Sequence, residues 1–194
     1  MAQTLRLFIA IELPKTVHNS IRSALLALQK ASPRNAIRWV PPENLHLTLK
    51  FLGDTPQHDL LRVQGHLRQA LEGFTSFDIE VSGAGSFPDA RKPRIIWLGL
   101  KDTTGQLASL QDKVEAAMLS IGYTAEARPF KAHLTVGRVR QGLSVDTLQR
   151  IGQGIKQAEI DYLALWSCQA VQLMQSELKA DGAIYSCLTQ IDLV

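Results

Sequence analysis

Three features of the sequence predict an α+β fold with largely antiparallel strands. Segments with helical periodicity are mixed with short apolar or alternating runs. Several runs are separated only by short turns, which suit antiparallel neighbours, whereas parallel strands need long crossovers. And the pattern His46-Leu-Thr-Leu49 returns as His133-Leu-Thr-Val136. The copies are too far apart for a solenoid repeat. A duplicated unit is expected instead, with its copies facing one cleft as pseudo-symmetric partners.

The elements follow in order. Leu5–Leu13 is apolar and β-branched, a strand. Pro14 opens a helix, where a missing N–H costs nothing, and Ile21, Leu25 and Leu28 keep its period to Lys30. Ser32-Pro-Arg-Asn35 is a turn, and Ile37–Val40 a short strand closed by Pro41 and Pro42. Leu45–Leu52 alternates, a half-buried strand. Gly53-Asp-Thr-Pro56 is expected to cap a helix to about Glu72. Phe74–Val81 and Ile95–Leu100 are strands, and Thr103 or Thr104 caps a helix to about Ile121. Ala132–Val139 is a strand and Val145–Gln157 a helix. Tyr162–Trp166, Ala170–Gln175 and Ile184–Leu193 are strands, the last two joined by the hairpin signal Lys179-Ala-Asp-Gly182.

The length, 194 residues, suits one domain or two small lobes sharing a core. With 45% hydrophobic and 20% charged residues, disorder of the whole chain is excluded. A net charge of +3 does not announce a nucleic-acid binder, but it fits an anionic substrate if the charge is focused locally. Cys168 and Cys187 make no disulfide framework and are expected as buried strand thiols. The apolar run Leu7–Ile11, interrupted by Glu12 and Pro14, is too short for a signal core or a membrane span. No membrane association and a cytoplasmic location are therefore expected; the sequence does not fix the oligomeric state, and a monomer is the expectation.

The chemistry lies in the repeated pattern. On a strand, residues i and i+2 share a face. His46 and Thr48 share one, with Leu45, Leu47 and Leu49 behind; His133 and Thr135 share another, backed by Ala132, Leu134 and Val136. Two imidazoles beside two hydroxyls suit phosphodiester hydrolysis. A neutral imidazole takes a proton from attacking water, and a protonated one gives a proton to the leaving alkoxide. Free imidazole titrates near 6.5, so both forms exist near neutral pH, and threonine hydroxyls can donate to non-bridging oxygens. No metal and no cofactor are called for: zinc wants three or four ligands, and Glu43 and Asp54 are near His46 in sequence alone. His18, His58 and His66 lack the pattern and read as solvated helix residues. Trp39, Trp97 and Trp166 read as core. Arg91, Lys92, Arg94, Arg128, Lys131 and Arg140 are candidates for a basic rim that contacts an anionic substrate.

The segments Arg38-Trp-Val-Pro-Pro-Glu-Asn-Leu-His-Leu-Thr-Leu-Lys-Phe-Leu-Gly53, Arg94-Ile-Ile-Trp-Leu-Gly99 and Arg128-Pro-Phe-Lys-Ala-His-Leu-Thr-Val-Gly-Arg138 carry a resemblance that runs from Leu5 to Leu193. The chain resembles the two-histidine phosphoesterase superfamily and, within it, the RNA 2′,3′-cyclic phosphodiesterases, also called 2′-5′ RNA ligases. The resemblance implies one bilobal domain over residues 1–194. Each lobe would be a mainly antiparallel sheet backed by helices, with both motifs lining the cleft between. It implies action on RNA ends bearing a 2′,3′-cyclic phosphate, leaving a 2′-phosphate, with ATP-independent joining of RNA ends as a further activity. His46 would be the proton donor and His133 the proton acceptor. Arg138 would help hold phosphate, and Phe51 would stack on the terminal base. Strict alternation turns Arg138 and Phe51 away from the histidines, so a bulge or a strand end must re-aim them. Ala132 departs from the Pro that relatives commonly carry there. The competing reading is a non-catalytic binder of RNA ends or nucleotides, for which an acid–base pair has no use.

Overall fold

Why the two His-Leu-Thr strands lie side by side is visible in the sheet of the computed structural model, which describes residues 3–179 and 182–194. Nine strands form among these residues: β1 (Thr4–Glu12), β2 (Ile37–Trp39), β3 (His46–Pro56), β4 (Phe77–Phe87), β5 (Ile95–Lys101), β6 (His133–Val139), β7 (Tyr162–Cys168), β8 (Ala170–Lys179) and β9 (Gly182–Asp192). The helices are α1 (Lys15–Lys30), α2 (Leu60–Leu71), α3 (Gln106–Ser120) and α4 (Val145–Gln157). The strand order is β7-β4-β5-β6-β3-β1-β8-β9, with β2 also on β6, and every pairing is antiparallel. The β6 half and the β3 half meet at one paired position, Leu47 opposite Leu134. Each half carries one His-Leu-Thr strand at this seam, so the sheet is continuous yet bilobal.

Helices cover the convex side. The apolar stripe of α1, Val17, Ile21, Leu25 and Leu28, is buried, and the helix packs on β7 while α4 packs on β4. The α2 and α3 helices pack on each other, α3 also on β3 and α2 on β9. The main core lies between this layer and the sheet, with Leu47 and Leu134 fully inside it. A smaller apolar cluster of Phe8, Ala10 and Met174 sits on the opposite, concave face, against Tyr185. Among the described residues, no helix is long and apolar enough to cross a membrane.

Two local expectations change. Gly53–Pro56 is not a helix cap but the end of β3, paired with Thr4–Leu7 of β1. The buried Thr55, with its hydroxyl 3.1 Å from the Tyr123 hydroxyl, holds it there, and Gly53, at φ +71°, takes the irregularity between Leu7 and Phe8. The expected Phe74–Val81 strand is instead β4, which runs to Phe87 past an irregularity between Val81 and Ala84. At α3, Thr104 shares the first turn with Asp102: the Thr104 hydroxyl accepts from the Gln106 amide at 3.4 Å and the Asp102 carboxylate from the Leu107 amide at 2.7 Å. The expected hairpin joins β8 to β9, although Ala180 and Asp181 of its turn lie outside the described residues. Cys168 is buried as expected; Cys187, opposite Met174 on the outer strand β9, is exposed.

Candidate active site

The seam decides which way the motif side chains point. Leu47 and Leu134 face the core, 1% and 0% exposed. Their sequence neighbours must therefore face the other way, so His46, Thr48, His133 and Thr135 all point to the concave side. Antiparallel pairing at Leu47 and Leu134 sets His46 across from Thr135 and Thr48 across from His133. The two histidines are then diagonal neighbours, which in regular pairing lie about 7–8 Å apart.

Both strands carry a bulge at the same place, three residues after the histidine. On β3, Thr48 pairs with Ala10 and Lys50 with Ile9, so Leu49 has no partner on β1. On β6, Thr135 pairs with Trp97 and Gly137 with Ile96, so Val136 has no partner on β5. An extra residue reverses the alternation beyond it. Phe51, opposite Phe8, thus returns to the face of Thr48, and Arg138, opposite Ile95, returns to the face of Thr135. The re-aiming that the sequence required has this physical form.

All six residues singled out in the sequence, His46, Thr48, Phe51, His133, Thr135 and Arg138, line one cleft of about 740 Å³. The Nδ1 of His46 lies 2.9 Å from the Asn44 carbonyl, and that of His133 lies 2.6 Å from the Lys131 carbonyl. A carbonyl only accepts, so each Nδ1 carries the proton and each Nε2 is the nitrogen free to titrate. The same device, a bond to the carbonyl two residues back, thus orients both rings. No signal in the side-chain sequence could have shown it.

The two rings have different surroundings. His46 sits between Phe8, at 4.9 Å between centroids, and the edge of Tyr185, at 5.0 Å. His133 meets Phe87 edge-on at 5.0 Å, and the Lys131 ammonium lies 5.9 Å over the Phe87 ring. Burial holds the pKa of His46 below the usual 6.5; the Asn44 carbonyl opposes this, and the positive charge of Arg138 adds to the lowering. Arg138 is thus electrostatically coupled to a histidine on the other half of the sheet.

Several placements differ from expectation. The basic rim residues are exposed but do not line the cleft; its cations are Arg6, Arg38, Arg138 and Lys179. Arg6 and Lys179 gave no signal because nothing near them in sequence marks a site. Trp166 is buried as expected, but Trp39 lines the cleft and Trp97, half-buried, packs over Gly85 and against Phe87 at 5.4 Å. Phe8 and Tyr185, on two of the expected strands, and Phe87, which the sequence did not single out, pack the two imidazoles. His58 is well exposed beside Asp59, and the Nδ1 of His66 bonds the Arg62 carbonyl one turn back. Among the described residues, no group of three His, Cys, Asp or Glu side chains is placed to hold a metal ion.

Known proteins agree with this architecture. A family model described as LigT-like phosphoesterase matches twice in tandem, over residues 11–97 and 98–185. An RNA 2′,3′-cyclic phosphodiesterase of Methanothermobacter thermautotrophicus is 32% identical over 93% of this chain and 95% of its own. A protein of the same description from Thermus thermophilus is 30% identical over 97% of this chain and 90% of its own. Among solved structures, E. coli LigT complexed with 3′-AMP shares the fold at a TM-score of 0.77, with 22% identity over 99% of both chains.

Proposed function

The chain belongs to the LigT-like phosphoesterase family, and from that premise we propose that it is an enzyme that opens 2′,3′-cyclic phosphates at RNA ends. The observation that carries this reading is the matched pair of imidazoles, each held through Nδ1 by the carbonyl two residues back and each turned into one cleft.

A cyclic phosphate set between the strands has a threonine hydroxyl on each side. Thr48 and Thr135 donate to its non-bridging oxygens, and Arg138, re-aimed by the Val136 bulge, adds a charged donor where negative charge grows. Water attacks phosphorus from the His133 side, and its proton goes to Nε2 of His133. The P–O3′ bond breaks, and Nε2–H of His46 protonates O3′, leaving a 2′-phosphate. A 5′-hydroxyl in the place of water would give a 2′-5′ linkage by the same steps and without ATP. Every acid, base and charge-stabilising group comes from this chain, so no metal is used and a monomer suffices.

The lowered pKa of His46 bears on its role as the acid. In the empty cleft, burial and Arg138 favour its neutral form. The phosphate anion reverses that balance, because it offsets Arg138 and pairs with the imidazolium. The acid is charged by its own substrate. Phe51, 65% exposed at the cleft, offers its ring face to the terminal base.

The test uses a short oligonucleotide with a 2′,3′-cyclic end, in EDTA. Turnover to a 2′-phosphate is expected; activity lost in EDTA and restored by zinc or magnesium would end the metal-free account. A second substrate carries sulfur at the bridging 3′ position, a leaving group that needs no proton. On it, His46→Ala should regain much of its lost rate and His133→Ala should stay slow. Rescue of His133→Ala instead would exchange the roles. Binding without turnover would leave the non-catalytic reading.

A further inference from the structure

The cleft is larger than the seam that holds the two histidines. It runs along β1 from the level of Thr48, past Phe8, to Arg6, where Gly53 of β3 and Ser176 of β8 also line it. Arg6 and Phe8 are two residues apart on β1 and therefore share the concave face with Ala10. Ala10 pairs with Thr48. The backbone of Arg6 thus lies four residues along the strand from the reacting phosphate, about 13 Å at about 3.3 Å per residue. Phe51, opposite Phe8, stands between the two points.

The charges at this end are unequal in their commitments. Lys179 pairs with Glu177 at 3.7 Å. Arg38 and Arg138 start opposite each other on β2 and β6, and the Arg38 guanidinium reaches Gly182, beside Lys179 in the β8–β9 hairpin. Arg6 makes no ion pair or side-chain hydrogen bond among the described residues; its cross-strand neighbour Asp54 does not line the cleft and does not reach it. Gly53 lies beside it in the β3 ladder, at φ +71° and with open space where a Cβ would stand. The floor here is a guanidinium next to a bare backbone, at the end of an aromatic step that leads away from the histidines.

We propose that Arg6 binds the phosphate on the 5′ side of the terminal nucleoside, so that the cleft reads the end of an RNA chain and not an isolated cyclic nucleotide. This deepens the reading above and rests on it. The chemistry is that of a guanidinium with a phosphodiester or phosphomonoester, two parallel N–H···O bonds and opposite charge. The layout fits the covalent order of the substrate: cyclic phosphate at the seam, nucleoside over Phe51, next phosphate one nucleotide further on. The extended guanidinium, reaching back along the floor from β1, spans part of the 13 Å that separates its backbone from the seam.

The experiment compares adenosine 2′,3′-cyclic phosphate with the same nucleotide carrying a 5′-phosphate, and with the dinucleotide ApA ending in the cyclic phosphate, on wild type and on Arg6→Gln. The readout is the ratio of kcat/KM values, which cancels any general loss in the variant. In wild type both 5′-phosphorylated substrates should exceed the plain nucleotide by about tenfold or more, as for a charged hydrogen bond gained. In Arg6→Gln the ratio should fall towards one, and Arg6→Lys, which keeps charge but not the fork, should lie between. A wild-type ratio near one, or a ratio unchanged in Arg6→Gln, overturns the proposal. Failure of wild type to turn over even the plain cyclic nucleotide and the dinucleotide would overturn instead the function on which it rests.

Discussion

Lys50 is buried two residues past Thr48, where a strand with strict alternation would show a side chain to the cleft. The Leu49 bulge sends it to the core side, where its ammonium bonds Glu115 of α3 at 2.7 Å and the Thr124 carbonyl at 2.9 Å. Side-chain exposure is 3% for Lys50 and 18% for Glu115. This pair fixes the parity of β3, and hence the aim of Phe51. Replacing Glu115 by Leu leaves a nearly dry ammonium with one carbonyl, a loss of about 3–5 kcal/mol for an uncompensated buried charge. Replacing Lys50 by Met leaves a carboxylate whose Oε1 still accepts from the Glu126 amide at 3.0 Å while its Oε2 stays buried without a partner, so about 1–3 kcal/mol is expected, the penalty of an under-satisfied polar group. The double replacement removes both charges and should cost less than the sum of the singles by about 2 kcal/mol. Urea unfolding of the four proteins measures the cycle. Equal costs for the two singles, or additivity within about 0.5 kcal/mol, would refute the account of Lys50 as the dry partner.

Two further outcomes concern the chemistry. Thr48→Val and Thr135→Val keep shape and strand propensity, so circular dichroism should be unchanged while turnover falls by roughly one to three powers of ten; a variant with full turnover would show that its hydroxyl does not meet the growing charge. His46, followed by NMR, should titrate below 6.5 in the free protein and move upward when a 2′-nucleotide binds, and a midpoint at or above 6.5 in the free state would contradict its burial by Phe8 and Tyr185. The sign for stability follows: below 6.5 the unfolded chain takes a proton that folded His46 resists, so its stabilising contribution is present above 6.5 and is lost as pH falls.

How much of this was legible in the sequence depends on whether a feature is local. The His-Leu-Thr strands were, since two-residue alternation with leucines behind needs no partner to be read. The helix over Lys15–Lys30 was as well, from the spacing of Ile21, Leu25 and Leu28. Gly53–Pro56 was misread because turn residues were overruled by pairing: β1 offers a full ladder from Thr4 to Leu7, and a buried Thr55 weighs more than the propensity of Gly and Pro. Arg138 and Phe51 could be named only through a resemblance, because alternation alone gives them the wrong face. The bulges that correct it are unpaired positions, visible only with β1 and β5 alongside. Arg6 and Tyr185 are brought to the cleft by strand order, which no local pattern encodes.

The duplicated motif also shows how like sequences acquire unlike roles. Up to the bulge, the two strands are equivalent: histidine, core leucine, threonine, unpaired aliphatic residue, and an Nδ1 bond to the carbonyl two residues back. The difference comes from what each half sets around its ring. The β3 half encloses His46 with Phe8 and Tyr185, and the β6 half sends Arg138 towards it across the seam. The β6 half gives its own histidine only the edge of Phe87, with an ammonium above that ring. An acid–base pair needs two groups that hold a proton differently while facing one phosphate. Duplication supplies the facing, and burial by Phe8 and Tyr185 with the charge of Arg138 sets His46 apart. Substituting Tyr185 by Ala should therefore act on the His46 half alone, and under the proposed mechanism it is this asymmetry, and not the symmetry, that separates acid from base.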